Sequence, residues 1–371
     1  MHVVRRSLKG LEGHGVEFNS QAAPFPWFGG KRTVSSTIWE RLGDVNNYVE
    51  PFFGSGAVLL SRPHAPKTET INDADKMVAN FWRAAKADPE SVAHYADWPV
   101  NEADLHARHW WLLTEGAKRV AALEGDPDLY DAQVAGWWCW GACAWIGSGW
   151  CSGNGPWRWT GEEWAKGDAG MGINRQLPHM GNAGRGIKRP LPHMGTAGQG
   201  INRRHEKGDR LLFITEWITA LSDRLREVRV ACGDWSRVCG PSVTHKHGLT
   251  GVFLDPPYSD EANRDMNIYN VESGSVAHDA FRWAMEAGQN PLMRIAFAGY
   301  DCERQTPEGW TAVRWKAVGG YGSRGDGRGR DNAARETLWF SPHCLKPKEE
   351  RAQRSLFEFV EGQQRREEDT A

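Results

Sequence analysis

Short apolar runs alternate with longer stretches of helical spacing through much of the chain. Asn47–Phe52, Thr68–Asp73, Gly251–Leu254, Leu292–Phe297 and Glu336–Phe340 read as strands bounded by turn residues. Val228 opens another strand, which ends on Asp234 and Trp235, and Trp310 to Val318 alternates with a period of two. Helical spacing runs through Val34–Leu42, Met77–Ala87, Ala103–Leu113, Asp131–Ile146, Leu211–Leu225 and Ala277–Ala287, and an apolar helix start follows at Ala57. Strands that alternate with helices in this way predict an α/β fold built on an open sheet.

Composition adds limits. The 371 residues suit one large domain or two modest ones. A formal net charge of −2 means that any nucleic-acid site must be a local basic patch. Seven cysteines without framework spacing, no secretory segment and no long apolar span point to a reducing, soluble, intracellular setting. Many of the 20 tryptophans cluster between Trp110 and Trp164, which suits either a special aromatic task or a Trp-rich core.

The chemistry concentrates where strands end. Gly251–Leu254 stops at Asp255-Pro256-Pro257-Tyr258. Proline lacks an N–H and fixes φ, so the strand ends there and a stiff, extended turn follows. In an open α/β sheet this is the carboxyl edge, where ligands bind. Asp255 and the Pro256 carbonyl can both accept from one exocyclic amino group, and Tyr258 can stack on the ring that carries it. That suits a planar amine such as adenine extruded from a nucleic acid. Asp-Pro-Pro also occurs in plain surface turns, so the motif takes its meaning from what lies upstream.

There, Glu50-Pro51-Phe52 leads from a strand into Phe53-Gly54-Ser55-Gly56, the first βα turn of a nucleotide-binding half. Its glycines permit a tight turn and close backbone approach to a cofactor. No third fingerprint glycine and no Gly-Lys-Ser/Thr follow, which disfavours NAD and P-loop readings. Asp73 ends the next strand about 20 residues on, where a ribose-binding carboxylate is expected. Gly29-Gly30 also allows close approach, and Lys31 can meet a carboxylate or phosphate, although Gly-Gly-Lys is a common turn. Asp234 can accept from the amino group of a bound adenine moiety, with Trp235 packed nearby.

Trp27-Phe28-Gly29-Gly30-Lys31, then Glu50 to Gly56, then Asn72-Asp73-Ala74-Asp75, then Asp255 to Tyr258, in that order, resembles the Dam-type (alpha-group) DNA adenine-N6 methyltransferases. The resemblance covers roughly residues 24–90 and 225–342. It implies a Rossmann-like S-adenosylmethionine-dependent methyltransferase sheet with an inserted, mainly helical target-recognition region. By this resemblance Trp27 and Lys31 lie at the methionine end of S-adenosylmethionine, and Glu50, Pro51, Phe52, Gly54 and Gly56 form the cofactor turn. Asp73 takes the ribose hydroxyls, Asp234 lies at the adenine, and Asp255, Pro256, Pro257 and Tyr258 act at the reactive centre without a metal. The implied reaction is methylation of N6 of an adenine flipped out of double-stranded DNA. Cytosine N4, RNA or a protein amide are alternative substrates on the same fold, though Asp rather than Ser or Asn at position 255 leans toward adenine. A non-catalytic DNA-binding relative is the other alternative, and the presence of Lys31, Gly54, Asp73 and Tyr258 together argues against it. The resemblance further suggests a phage- or prophage-encoded protein of the bacterial cytoplasm, off the membrane, monomeric or weakly dimeric, with a cognate restriction endonuclease as a further partner.

The chain then divides into an arm (1–23), a catalytic domain (24–90 and 225–345), an inserted target-recognition region (91–224) and a charged tail (346–371). In the insertion, Cys139, Cys143 and Cys151 fit no zinc spacing well and read as buried thiols. The Gly- and Trp-rich stretch 147–157 reads either as a packed loop or as a nucleic-acid contact. Gly172–Arg185 is echoed by Gly186–Gln199 with a period of fourteen, and a third copy begins at Gly200, giving a repeat over 172–203. Its Arg175, Arg185, Lys188 and Arg189 suit a basic arm that follows phosphates, while a neutral duplication remains the plain alternative. Arg324, Arg328 and Arg330, between the last two strands, form a second basic cluster for DNA.

Overall fold

The computed structural model describes residues 23–27, 31–145, 150–151, 157–159, 164–166, 210–257, 275–300, 305–315 and 336–347. In chain order the elements begin with α1 (Ser35–Leu42), β1 (Asn47–Glu50), α2 (Ala57–Leu60), β2 (Thr68–Asp73), α3 (Lys76–Ala87) and α4 (Pro89–Ala96). Next come α5 (Glu102–Trp111), a π-helical turn at Leu112–Gly116, α6 (Ala117–Arg119), α7 (Ala132–Ala144) and a small hairpin of β3 (Trp157–Trp159) and β4 (Trp164–Lys166). The chain continues with α8 (Arg210–Leu225), β5 (Val228–Cys232), β6 (Thr250–Leu254), α9 (Val276–Ala287), β7 (Met293–Tyr300), β8 (Thr311–Arg314) and β9 (Glu336–Phe340).

Seven strands form one sheet in the order β5-β2-β1-β6-β7-β9-β8. The first five are parallel, whereas β9 runs antiparallel to both β7 and β8. Burial on both faces explains why the central strands are near-continuous apolar runs. Tyr48, Phe253, Ala296, Ala298, Leu338 and Phe340 face one core, which also takes the apolar sides of α1, α3, α4, α7 and α8. Their alternating neighbours Val49, Val252, Leu254, Ile295, Phe297 and Trp339 face a second core that includes Ala280 and Ala284 of α9. The period of two in the strands thus sorts side chains between two layers.

Helix boundaries follow local chemistry. Asp75 begins α3 by accepting from the Met77 N–H at 2.8 Å, and Asp131 begins α7 by accepting from the Val134 N–H at 2.8 Å. The helix start at Ala57 amounts to a single turn, α2. β8 ends at Arg314, and residues 316–318 of the expected alternation lie outside the described residues.

The boundary expected at residue 90 falls inside α4, and the one expected at 224 falls inside α8. α4 packs with α3, α7 and α8, and α8 also packs with α3, which lies on β2 and β5, so the helical part of the insertion is a layer on the sheet. This answers the question raised by the tryptophans. Trp138 and Trp140 are fully buried, and the Arg108 guanidinium lies 4.5, 4.8 and 4.6 Å from the rings of Trp98, Trp137 and Trp140. Among the described residues, Trp138, Trp140 and Trp145 of the cluster are core. Cys139, Cys143 and Cys151 are buried free thiols, and burial pushes Cys139 and Cys151 well above the ordinary thiol range. At the edge of the same core Glu69 is held by Arg62 at 2.9 Å and by Arg224 at 2.6 Å, so its buried charge is paired on both sides. No helix among the described residues is long and apolar enough to cross a membrane.

Candidate active site

β6 delivers Asp255 to the site. All five of its residues are buried, and it is paired to β1 on one side and β7 on the other. The chain builds outward from β1 to β2 and β5, then crosses to β6, so the strand order reverses between β1 and β6. That is the switch point at which an open α/β sheet leaves a crevice at its carboxyl edge. A cavity of about 250 Å³ occupies this edge. It is lined by Glu50–Ser55 after β1, Asn72–Asp75 after β2, Gly233–Trp235 after β5, and Phe253, Asp255 and Pro257 at the end of β6. Trp27 and Lys31 close it from the N-terminal segment.

The walls are tied together by backbone and amide hydrogen bonds. Asn72 Nδ2 donates to the Pro51 carbonyl at 3.0 Å and to the Gly233 carbonyl at 2.9 Å. Phe53 N donates to the Asn72 carbonyl at 3.0 Å, and Gly233 N to the Asp73 carbonyl at 3.1 Å. Three strand ends are thereby fixed relative to one another.

At one end of the cavity, Gly54 adopts φ +49° and lies against the Trp27 indole, which a Cβ would approach to 2.3 Å. Its N–H donates to Asp73 Oδ2 at 2.8 Å, while Asp73 Oδ1 accepts from the Asp75 N–H at 2.9 Å. Burial, with the Asp75 charge beside it, pushes the Asp73 carboxyl up to about 7. Each Asp73 oxygen retains a lone pair for a ligand hydroxyl. Phe52 and Trp235 stack at 6.1 Å across the turns. Asp234 is exposed on the rim and spends Oδ1 on the Ser236 N–H at 2.9 Å and on the Ser236 hydroxyl.

At the other end Lys31 Nζ meets Asp255 Oδ2 at 2.9 Å, with the two side chains only 5% and 16% exposed. Burial pulls the Lys31 ammonium down, but the carboxylates of Asp255 and Glu336 outweigh it and leave its pKa raised. Burial raises Asp255, and the Lys31 charge opposes that rise. Glu50 lies nearby, accepting from the Tyr48 hydroxyl at 2.9 Å; burial pushes it well above the usual carboxylate range and favours its neutral form.

Of the residues expected at the cofactor, Trp27, Lys31, Glu50, Pro51, Phe52, Gly54, Asp73, Asp234 and Asp255 all line this cavity. Gly56 does not. Its left-handed φ of +67° turns the chain over the Phe53 ring, which a Cβ would approach to 2.4 Å. Pro257 lines the cavity, whereas Pro256 is buried beside it. Tyr258, the Gly29-Gly30 turn, Arg175, Arg185, Lys188, Arg189, Arg324, Arg328 and Arg330 lie outside the described residues. Sequence reasoning passed over Asn72 and Glu336. The second had a signal, since a lone acid opens the otherwise uncharged strand Glu336–Phe340, all of it buried.

The doubly covered sheet, with antiparallel β9 set between β7 and β8 and a nucleotide-sized crevice at the switch point, is that of a Rossmann-like methyltransferase. Residues 27–106 match the family model of D12 class N6 adenine-specific DNA methyltransferases. This likeness, over 80 of the 371 residues, supports an enzyme that methylates adenine N6 at specific sites in DNA from a methyl donor. The matched segment holds Trp27, Lys31, the glycine turn and Asp73, and the Asp255 tetrapeptide lies beyond it. No curated protein matches the chain.

Proposed function

We propose that the methyl donor is S-adenosylmethionine, bound at the carboxyl ends of β1, β2 and β5, and that Asp255 orients N6 of an adenine flipped out of double-stranded DNA. The observation that carries this is the 2.9 Å pairing of Lys31 with Asp255 in the same cavity as Gly54 and Asp73. The residues suit the donor's chemistry. Asp73 offers acceptors for ribose hydroxyls, Phe52 and Trp235 offer apolar faces for a flat base, and Asp234 offers an acceptor for its amino group at the rim. The Gly54 cradle, which a Cβ would fill, lets the Trp27 ring close over the turn, with Lys31 on the amino-acid side.

S-adenosylmethionine supplies an electrophilic methyl group. The protein's own task is to prepare the amine, a poor nucleophile because its lone pair is delocalised into the adenine ring. Lys31 takes Oδ2 of Asp255, leaving Oδ1 to accept one N–H of N6 while the Pro256 carbonyl accepts the other. Holding both hydrogens favours a pyramidal nitrogen with its lone pair directed out of the ring plane. The Lys31 charge opposes the rise that burial imposes on Asp255, and the raised Asp255 carboxylate is the group placed to take the proton that N6 sheds. Rate enhancement then comes from positioning and fixed charges. Extruding the base costs a few kcal/mol, and stacking on Tyr258 returns about 1–3 kcal/mol. Arg175, Arg185, Lys188 and Arg189, together with Arg324, Arg328 and Arg330, supply phosphate contacts.

Incubation with methyl-labelled S-adenosylmethionine and mixed-sequence DNA, followed by nucleoside analysis, tests the reading. Label in N6-methyladenine is the expected result. Label in N4-methylcytosine, or none, refutes it.

A further inference from the structure

Glu50 is a carboxyl of the cavity wall that takes part in no ion pair among the described residues. It ends β1 and is 2% exposed. Its Oε2 accepts from the Tyr48 hydroxyl at 2.9 Å, and the backbone N–H of Leu59 in α2 also donates to it. Tyr48 is itself fully buried, with its ring 4.8 Å from that of Trp39, so this donor is fixed. The other charged groups near Glu50 are acids: Asp255 at the end of β6 and Glu69 of β2 both disfavour a charge on it. Lys31 on the same wall meets Asp255 at 2.9 Å, while Arg62 and Arg224 meet Glu69 at 2.9 and 2.6 Å. A buried carboxylate with no cation paired to it is unfavourable, so the carboxyl holds its proton.

We propose that Glu50 couples binding of the methyl donor to release of a proton: neutral in the protein alone, it ionises when the cationic donor enters the cavity. The inference rests on the S-adenosylmethionine reading above. That donor carries a sulfonium and an α-ammonium, and so brings the positive charge that Glu50 lacks. In the step the carboxyl O–H bond breaks, its electron pair stays on Glu50 and the proton goes to solvent. Tyr48 continues to donate to the carboxylate so formed. Because the donor prefers the ionised form, its affinity rises with pH wherever the protein alone still holds the proton and the complex does not.

Calorimetric titration of the full chain with S-adenosylmethionine, without DNA and in two buffers of different ionisation enthalpy, counts the protons released apart from turnover. Wild type is expected to release about one proton more per donor bound than Glu50→Gln, and its affinity to gain up to about tenfold per pH unit over the variant's. Asp73 and Asp255 are present in both proteins, so the difference between the two counts belongs to Glu50. If the glutamine variant does not fold, infrared difference spectra of wild type carrying isotope-labelled glutamate read the same event. Loss of a glutamic-acid C=O band on donor binding is expected there, and its persistence overturns the proposal. Equal proton counts in the two proteins also overturn it, while the binding itself leaves the S-adenosylmethionine reading standing. Wild-type protein that binds no donor overturns that reading, and this inference with it.

Discussion

Replacing Gly54 with alanine tests whether the cavity depends on a backbone that only glycine supplies. At φ +49° the new Cβ would meet the Trp27 indole at 2.3 to 2.8 Å, far inside contact distance. The ring has little room to retreat, because Phe25 and Trp138 pack around it with centroids 5.9 and 6.2 Å away. Nor can the turn shift freely. The Gly54 N–H is held by Asp73 at 2.8 Å, and its carbonyl accepts from Trp82 Nε1 at 2.9 Å. A left-handed alanine costs about 1–2 kcal/mol, and overpacking a filled site adds roughly 1–3 kcal/mol. The expected loss is therefore about 2–5 kcal/mol of stability, read as a lower urea midpoint at unchanged slope. Binding of the methyl donor should fall about tenfold or more, since both Trp27 and Asp73 move with the turn. A variant within about 0.5 kcal/mol of wild type, with undiminished donor binding, would refute the reasoning.

The remaining predictions address chemistry, pH and DNA. Asp255→Ala should abolish methyl transfer while leaving most DNA affinity, because phosphate contacts dominate binding; near-normal turnover in the labelled assay would sink the mechanism. Tyr258→Ala should cut turnover by an amount corresponding to about 1–3 kcal/mol of lost stacking, whereas Tyr258→Phe, which keeps the ring, should be mild; equal damage from the two would implicate the hydroxyl instead. Asp73 has a folded-state pKa of about 7 against an ordinary value of 3.8, so its folded form holds a proton that the unfolded form releases. Its contribution to stability is fully present below about pH 3.8 and is lost as pH rises through about 7. Urea unfolding of wild type should therefore weaken relative to Asp73→Asn across that window, and parallel pH profiles would contradict the assignment. Deleting Gly172–Gln199 should flatten the salt dependence of DNA binding, each lost phosphate contact removing about 0.9 from the log–log slope, while the methylated sequence stays the same. An unchanged slope would mark the repeat as neutral.

Where chemistry is local, the chain itself was enough. Two prolines after Leu254 have to end a strand whatever surrounds them, and β6 stops there. Glycines at 54 and 56 announce a turn that needs positive φ, and both adopt it. The acid ending β2 lies at the carboxyl edge because a parallel strand that leads into a helix must turn there. The order of these motifs carried the class of enzyme, and alternation within strands carried the two-layered core. Which polar groups meet was decided by the tertiary structure alone. Nothing near Lys31 in the sequence names Asp255 or Glu336 as its partners, yet sheet order brings β6 and β9 to the same ammonium. Asn72 reads as an ordinary strand residue until β1 and β5 flank it and its amide ties their turns together. Trp138 and Trp140 belong to a cluster that suggested either a task or a core, and only the packing of α4, α5 and α7 made them core. Strand ends and turns follow from backbone sterics within a few residues. Buried charges and aromatic cages depend on burial and on partners far apart in the chain, which exist only once the layers have closed.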